Sequence, residues 1–210
     1  SPEGMFMEGA SMSWLVPNPY DFFQELSLEI GRTESNASLV RGENGQLSYI
    51  GHLKNFFDLT QNSTLELGFS GANGPNQTGF SSTMGGVDLT YKWKPVQYNV
   101  LQSFNWQSEL VFSNMRLDEA TVAKTHGVYS LAEYQFGQRW FVGARYDYSQ
   151  YPDDGGRRDV AGTVLFRFQP TEFQILALEY QYTDRNYDRS SHGVIFRIIF
   201  GIGTHAAHQY

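Results

Sequence analysis

Polar and apolar residues alternate with a period of two along most of this chain. From Thr64 to Ser70, for example, Leu65, Leu67 and Phe69 are separated by polar or small residues. Successive side chains of a strand point to opposite faces, whereas a helix repeats every ~3.6 residues, so the pattern predicts strands with one apolar and one polar face. The segments that show it most clearly are Glu25 to Ile30, Thr64 to Ser70, Val87 to Lys94, Phe104 to Phe112, Trp140 to Ser149, Leu176 to Thr183 and Val194 to Ile202.

Four further segments alternate less regularly. They are Gly9 to Val16, Gln46 to Phe56, His126 to Phe136 and Asp159 to Phe168. Together the two groups predict about eleven strands. Most are near the ~10 residues that a tilted strand needs to cross a bilayer, whereas strands of soluble sheets average about 5 or 6.

The predicted connections between these strands alternate between tight and long. The tight ones are residues 17–20, 60–62, 94–97, 137–139 and 169–172. The longer and more polar ones are residues 33–45, 72–80, 116–125, 151–158 and 184–191. Short periplasmic turns and longer external loops are typical of outer-membrane barrels. The sequence therefore predicts an all-β fold, an antiparallel up-and-down transmembrane β-barrel.

Aromatic residues concentrate at the tight-turn ends of the predicted strands. They are Trp14, Phe22, Phe23, Phe56, Phe57, Trp93, Tyr98, Phe136, Trp140, Phe168 and Phe173. Aromatic rings are enriched at membrane–water interfaces, so this distribution predicts a periplasmic aromatic girdle. The alternative is that the same aromatic residues form the core of a soluble up-and-down barrel.

The predicted topology also indicates that these strands are part of a larger barrel. If the turn at Pro17 is periplasmic, the first strand starts on the outer side, with Ser1 to Gly4. Because bacterial barrels usually have an even number of strands, we expect further upstream strands and a total of about 12 to 18. On this interpretation residues 1–203 are barrel strands and residues 204–210 form a short periplasmic tail.

Composition excludes several other classes of protein. The formal net charge is -7 and no cluster of Lys and Arg occurs, which argues against a nucleic-acid surface. The chain has no cysteine, so a disulfide framework and thiolate metal sites are excluded. No segment approaches the ~18 consecutive apolar residues of a membrane helix, which excludes a helical membrane protein.

Four stretches of the sequence resemble a widespread family of Gram-negative porin-like outer-membrane barrels. They are Leu53 to Leu59, Thr64 to Gly68, Asp88 to Trp93 and the ending Gly203 to Tyr210. The resemblance covers most of this chain, as the C-terminal part of longer proteins. It implies a barrel fold and an outer-membrane location, and it gives no substrate. Outer-membrane strands typically end on a terminal aromatic residue, whereas here a tail follows the last predicted strand.

The predicted polar faces collect many charged side chains, which could screen solutes in a pore. The pore-lining candidates are Lys92, Glu109, Glu133, Arg145, Arg167, Glu179 and Arg197. Arg145 and Arg167 fall on adjacent predicted strands and Arg197 lies two strands further on, so a basic strip facing acidic walls is one interpretation. The other is that the charges pair across strands and fill a wet interior.

Histidines supply the remaining candidates for chemistry. His205 and His208 are three residues apart and could supply two ligands of a zinc site, but two ligands do not make a site. We therefore predict no metal site. His126 and His192 fall at loop ends near acidic residues, the minimum for a hydrolase. Such positions are common for loop histidines, and we expect no enzyme.

The sequence thus predicts a bacterial outer-membrane channel for passive diffusion of small hydrophilic solutes, without a cofactor. One alternative is a structural or interaction barrel that is plugged by its own segments and docked in an envelope complex. A less favoured alternative is an outer-membrane hydrolase. The expected partners are outer-membrane lipid and lipopolysaccharide, small hydrophilic solutes, and other envelope proteins or a second copy of the chain; nucleic acid is not among them.

Overall fold

A single sheet of eleven β-strands makes up the described part of the chain. The structure, a computed structural model, describes residues 6–34, 38–42 and 45–201. The strands are β1 Phe6–Leu15, β2 Phe23–Glu34, β3 Ser48–Thr60, β4 Ser63–Pro75, β5 Ser81–Trp93, β6 Ser103–Arg116, β7 Val122–Gly137, β8 Trp140–Tyr151, β9 Asp154–Thr171, β10 Gln174–Arg185 and β11 Ser191–Phe200. A 3-10 turn, Val96–Tyr98, lies between β5 and β6.

Each strand pairs antiparallel with its neighbours in sequence, in the order β1 to β11. The predicted fold class, all-β with up-and-down antiparallel strands, is confirmed. Within the described residues β1 and β11 do not pair with each other, so they are the two edges of the sheet. Because strand direction alternates and the number of strands is odd, the two edge strands run in the same direction. Among the described residues no helix is long and apolar enough to cross a membrane.

The strand register sorts the side chains onto two faces. Phe69 in the middle of β4 opposes Leu53 and Val87, whereas its neighbour Ser70 opposes His52. Directly paired residues share a face, so this alternation extends from strand to strand. We call the face that carries Phe69 the apolar face and the face that carries Ser70 the polar face.

Solvent exposure of the two faces is inverted relative to a soluble protein. On the apolar face large mid-strand side chains are exposed, with Phe69 at 49%, Val164 at 55% and Phe196 at 63%. On the polar face Met115 and Ser82 have no exposed area. A soluble barrel would bury its apolar side chains. In the described residues this apolar face is exposed, unlike the core that the soluble-barrel alternative requires.

Several predicted connections differ in length from the structure. Residues 151–158 were expected to be a long loop, but β8 ends at Tyr151 and β9 already begins at Asp154. The turn expected at residues 94–97 is longer than predicted, because β6 begins only at Ser103. Tight and long connections therefore differ less in length than the sequence indicates. Residues 35–47, between β2 and β3, remain the longest connection.

The expected aromatic girdle is present in part. On the apolar face Trp140 stacks on Phe168, with ring centroids 4.1 Å apart, and lies beside Phe166 at 5.3 Å. Phe23 and Phe56 were assigned to the same girdle, but the register pairs them with each other on the polar face. These two assignments were wrong, because near a strand end the side-chain period alone does not fix the face.

Tyrosines and histidines mark the opposite, long-connection end of the apolar face. His126 stacks on Tyr148 at 5.1 Å, and His192 accepts or donates a 2.7 Å hydrogen bond with the Tyr180 hydroxyl. Trp140 and Tyr148 are eight residues apart on β8, about 26 Å along the strand at ~3.3 Å per residue. With the usual tilt of about 40° this spans roughly 20 Å, close to the ~25 Å apolar band of a membrane barrel.

Candidate functional site

The polar face carries all seven charged candidates. They are Lys92 on β5, Glu109 on β6, Glu133 on β7, Arg145 on β8, Arg167 on β9, Glu179 on β10 and Arg197 on β11. Each of these seven residues pairs with polar-face residues of the neighbouring strands. Their orientation therefore agrees with the period-two pattern of the sequence.

Arg145, Arg167 and Arg197 are neutralised by acidic partners. Arg167 Nη2 lies 2.5 Å from Glu133 Oε1, and its guanidinium stacks over the Phe141 ring at 4.1 Å. Arg145 pairs at 2.6 Å with Asp147. For Arg197 the partner is Glu179, at 3.2 Å. Arg167 and Arg197 thus pair with acids on other strands and Arg145 with an acid on its own strand, so these three arginines do not form a strip of unpaired positive charge.

These ion pairs border a hollow of about 430 Å³ on the polar face of β7 to β11. Apolar side chains share its lining with the charges: Leu131, Leu165, Ile175, Ile195 and Ile199. Ile195 and Ile199 are 43% and 46% exposed. The consecutive apolar residues Val194, Ile195 and Phe196 place apolar side chains on both faces of the edge strand β11.

Charges without an ion pair lie elsewhere on this face, and most are acidic. Asp88 and Glu109 oppose each other across β5 and β6, and neither makes an ion pair in the described part of the chain. The Asp88 carboxylate lies over Gly68, where a Cβ atom would come within 2.0 Å of Oδ2. Glu29 and Asp58 likewise make no ion pair with any residue in the described ranges. Lys92 is a basic residue on this face, and no acidic side chain among the described residues forms an ion pair with it.

A segment of the β2–β3 connection packs onto the polar face near the long-connection end. We call Ser38-Leu39-Val40 the inward segment. Leu39 is 2% exposed, and its Cδ2 atom lies 3.1 Å from the position of a Cβ on Gly74. Val40 donates its N–H to the Pro75 carbonyl at 2.9 Å and accepts from the Thr33 hydroxyl at 3.2 Å. Sequence reasoning placed this stretch in a polar loop and missed it.

Beneath the inward segment lie the most buried side chains of the described residues. Thr33 and Ser48 share a 2.8 Å hydrogen bond, and Met115 and Ser82 pack beside them. A hollow of about 340 Å³ separates Ser38 from polar-face residues of β5 to β8, including Glu109 and Asp147. The inward segment therefore narrows the space above the polar face on the side where acidic groups lie.

Among the described residues, His126 and His192 do not lie in one cluster with an acidic side chain. His126 lies on the apolar face opposite Phe112, whereas Asp147 lies on the polar face of the neighbouring strand. His192 is on β11 and contacts Tyr180 and Tyr182. No group of three His, Asp or Glu suited to a metal ion occurs among the residues that the structure describes. The candidates His205 and His208 lie outside the described residues.

Hydrogen bonds order the connections at the long-connection end. Arg157 lies between the rings of Tyr151 and Tyr187, at 4.1 and 4.4 Å, and Tyr187 donates to Asp159 at 2.7 Å. The hydrogen bonds that the Tyr187 hydroxyl makes with Tyr151 and Asp159 raise the pKa of Tyr187 above its ordinary value. These contacts join the end of β8 and the start of β9 to the β10–β11 connection, and no sequence motif predicted them.

The fold and the two faces define a class of protein: an up-and-down antiparallel β-sheet with an exposed apolar face and a polar, charge-bearing face. No protein-family description matches the sequence, and the comparison with curated proteins gives no match. A solved structure of the "TodX monoaromatic hydrocarbon channel deltaS2 mutant" is similar over 95% of this chain and 74% of that chain, at 9% identity and a TM-score of 0.35. At that TM-score the likeness adds nothing to the argument from the sheet. The structure thus has the up-and-down antiparallel strands that the family resemblance implies, and no particular family is shown.

Proposed function

We propose that this chain forms part of the wall of a bacterial outer-membrane channel through which small hydrophilic solutes diffuse passively. The observation that carries this proposal is the inverted distribution of exposure between the two faces. An exposed apolar face of roughly 20 Å, close to the apolar band of a membrane barrel, is stable in lipid and costly in water. The opposite face, with its charges and small polar side chains, is suited to a water-filled lumen.

The lumen we propose prefers cations. The arginines that could attract anions are held by Glu133, Asp147 and Glu179, so their charges are largely cancelled. The acids that make no ion pair, Asp88 and Glu109 among them, remain to act on passing ions. A ring or wall of one sign of charge raises the local concentration of counter-ions and sets selectivity.

Planar-bilayer recording of the complete folded protein tests both statements. We expect single-channel steps and a reversal potential that shows cation preference in a salt gradient. Asp88→Asn with Glu109→Gln should reduce that preference, while Glu119→Gln in the β6–β7 connection should leave it unchanged. Absence of channel steps would overturn the channel; equal effects of the lumen and loop variants would overturn the assignment of Asp88 and Glu109.

A second candidate is a structural or interaction barrel that its own segments plug. The inward segment favours it, because Leu39 is packed on the polar face and narrows the lumen. In that case the complete protein should give no conductance, and crosslinking in intact cells should capture other envelope proteins. A variant that releases the inward segment separates the candidates, since it would open a plugged barrel and only widen an open one.

We also propose that this sheet closes with further strands. Its edges β1 and β11 run in the same direction, so direct pairing between them would be parallel. Antiparallel closure needs an odd number of additional strands between the two edges, consistent with the even totals of bacterial barrels. Cysteines placed in pairs along β1 and β11 of the complete protein test this: they should not form direct crosslinks, and efficient crosslinking would show that the two edges meet.

A further inference from the structure

Basic side chains differ in their partners between the two faces. On the polar face, acidic groups pair with Lys54, Arg145, Arg167, Arg185 and Arg197. At the long-connection end of the apolar face, Arg116, Lys124 and Arg158 are exposed, and none makes an ion pair with any residue in the described ranges. We call these three residues the outer basic patch.

The outer basic patch lies on three strands, β6, β7 and β9, with β8 between the last two. On β6 and β7, Arg116 opposes Val122 and Lys124 opposes Asn114, which makes the two bases diagonal neighbours at about 7–8 Å. Arg158 on β9 opposes Gln150 on β8. At a strand spacing of ~4.8 Å, the patch spans roughly 15 Å across the sheet.

The patch lies directly beyond the apolar band. Lys124 is two residues from His126, the member of the tyrosine and histidine girdle on β7, and Arg158 is opposite a residue two positions beyond Tyr148. Two residues correspond to about 7 Å along a strand. The cationic groups therefore fall at the depth of lipid headgroups, and long Arg and Lys stems reach along the apolar surface to that depth.

We propose that the outer basic patch binds the phosphate groups of lipopolysaccharide in the outer leaflet. Arginine recognises phosphate through paired N–H donors, and lysine does so as a point charge. The nearby Asp118 makes no ion pair with these bases among the described residues, and its Oδ1 accepts the backbone N–H groups of Ala120 and Thr121. The inference rests on the proposed membrane orientation, with the long connections outside, and it is independent of whether the lumen conducts.

The test uses the complete protein in nanodiscs that contain diphosphoryl lipid A, dephosphorylated lipid A or phosphatidylglycerol at equal content. Native mass spectrometry counts the lipid that stays bound. We expect retention of diphosphoryl lipid A, and a loss of more than about tenfold in the variant Arg116→Ala/Lys124→Ala/Arg158→Ala, since each base near a charged surface contributes measurably. The matched control Lys94→Ala/Arg139→Ala removes two exposed bases at the other end and should retain the lipid.

Several outcomes would overturn the proposal. They are equal retention of phosphatidylglycerol, equal retention of dephosphorylated lipid A, or an equal loss in the control variant. Conductance of the triple variant should be unchanged, because its three residues lie outside the proposed lumen. Specific lipid A retention by a protein that forms no channel would support this inference while removing the proposed channel, so the two can fail separately.

Discussion

The charged side chains on the polar face differ in whether they have an ion-pair partner. Arg167 reaches across β8 to Glu133, two strands away, while its guanidinium rests on Phe141. Asp88 and Glu109 face each other, and no basic side chain among the residues that the structure describes pairs with either. Sequence spacing predicts which face a side chain occupies, because the strand period is two. It does not predict the partner, which depends on side-chain rotamers and on strands that are not adjacent.

Replacement of Glu133 by glutamine should destabilise the protein by about 1–2 kcal/mol, because Arg167 would keep its charge in a half-buried position without an acidic partner. Urea unfolding of the protein in lipid vesicles measures the change. The control is Glu29→Gln on the same face, where no ion pair is lost; it should change stability by less than about 0.5 kcal/mol. Equal changes in the two variants would show that the Glu133–Arg167 pair contributes nothing.

The β6–β7 connection should lose its local order in acid. Hydrogen bonds from the backbone of Ala120, then from the hydroxyl and backbone of Thr121, hold the pKa of Asp118 below its ordinary value. The stabilisation is therefore present above the ordinary pKa and disappears as the pH falls through the lowered one. Amide NMR signals of Ala120 and Thr121 should shift together in that range. In Asp118→Asn both signals should be insensitive to this titration.

At the scale of elements, the alternation predicted every strand of the sheet, and the failures have identifiable causes. The residues Asp154-Gly155-Gly156 have low strand propensity, yet they begin β9 because β8 and the β10–β11 connection hold them: the Gln150 side chain donates to the Gly155 carbonyl at 2.8 Å, and Asn186 donates to the Gly156 carbonyl at 2.6 Å. At these three residues, hydrogen bonds to other elements outweigh the low local strand propensity. Such bonds are invisible to a local pattern.

The inward segment is an element that local rules could not place. Its Leu39-Val40 pair was an apolar signal within a polar connection, but only tertiary packing shows that it contacts Gly74 and Pro75. Gly74 permits this approach because any Cβ there would come within 2.2 Å of the Ser48 hydroxyl and 3.1 Å of Leu39.

Leu39→Asp should release the inward segment and raise the single-channel conductance of the complete protein. An unpaired buried carboxylate costs several kcal/mol, more than the ~2–3 kcal/mol that burial of a leucine contributes. Leu47→Asp is the matched control, because Leu47 belongs to the same connection and is 38% exposed. Unchanged conductance in Leu39→Asp, with the protein folded, would show that the inward segment does not restrict the lumen.

At the scale of the whole molecule, the two faces of the sheet suit different surroundings, one apolar and the other aqueous. Mid-strand side chains such as Val87 and Leu178 are more than 40% exposed, while the polar face supplies most of the buried positions. In water such an apolar surface would be an aggregation liability. The sequence alone predicted the alternation that produces these faces, but which face is the more exposed follows only from the packing of the inward segment and the charged side chains.

Two adjacent residues on β4 provide a test of the membrane assignment, because which of their lysine variants is the more destabilising depends on whether lipid or water surrounds the sheet. Phe69 and Ser70 are consecutive, lie mid-strand and point to opposite faces. In a bilayer Phe69→Lys should cost about 2–4 kcal/mol or prevent assembly, whereas Ser70→Lys should be tolerated in a polar lumen. For a water-soluble protein the order reverses: lysine in place of an exposed phenylalanine would be nearly neutral. Urea unfolding in vesicles and heat-dependent migration in detergent gels measure both variants, and a tolerated Phe69→Lys would contradict the lipid-facing assignment.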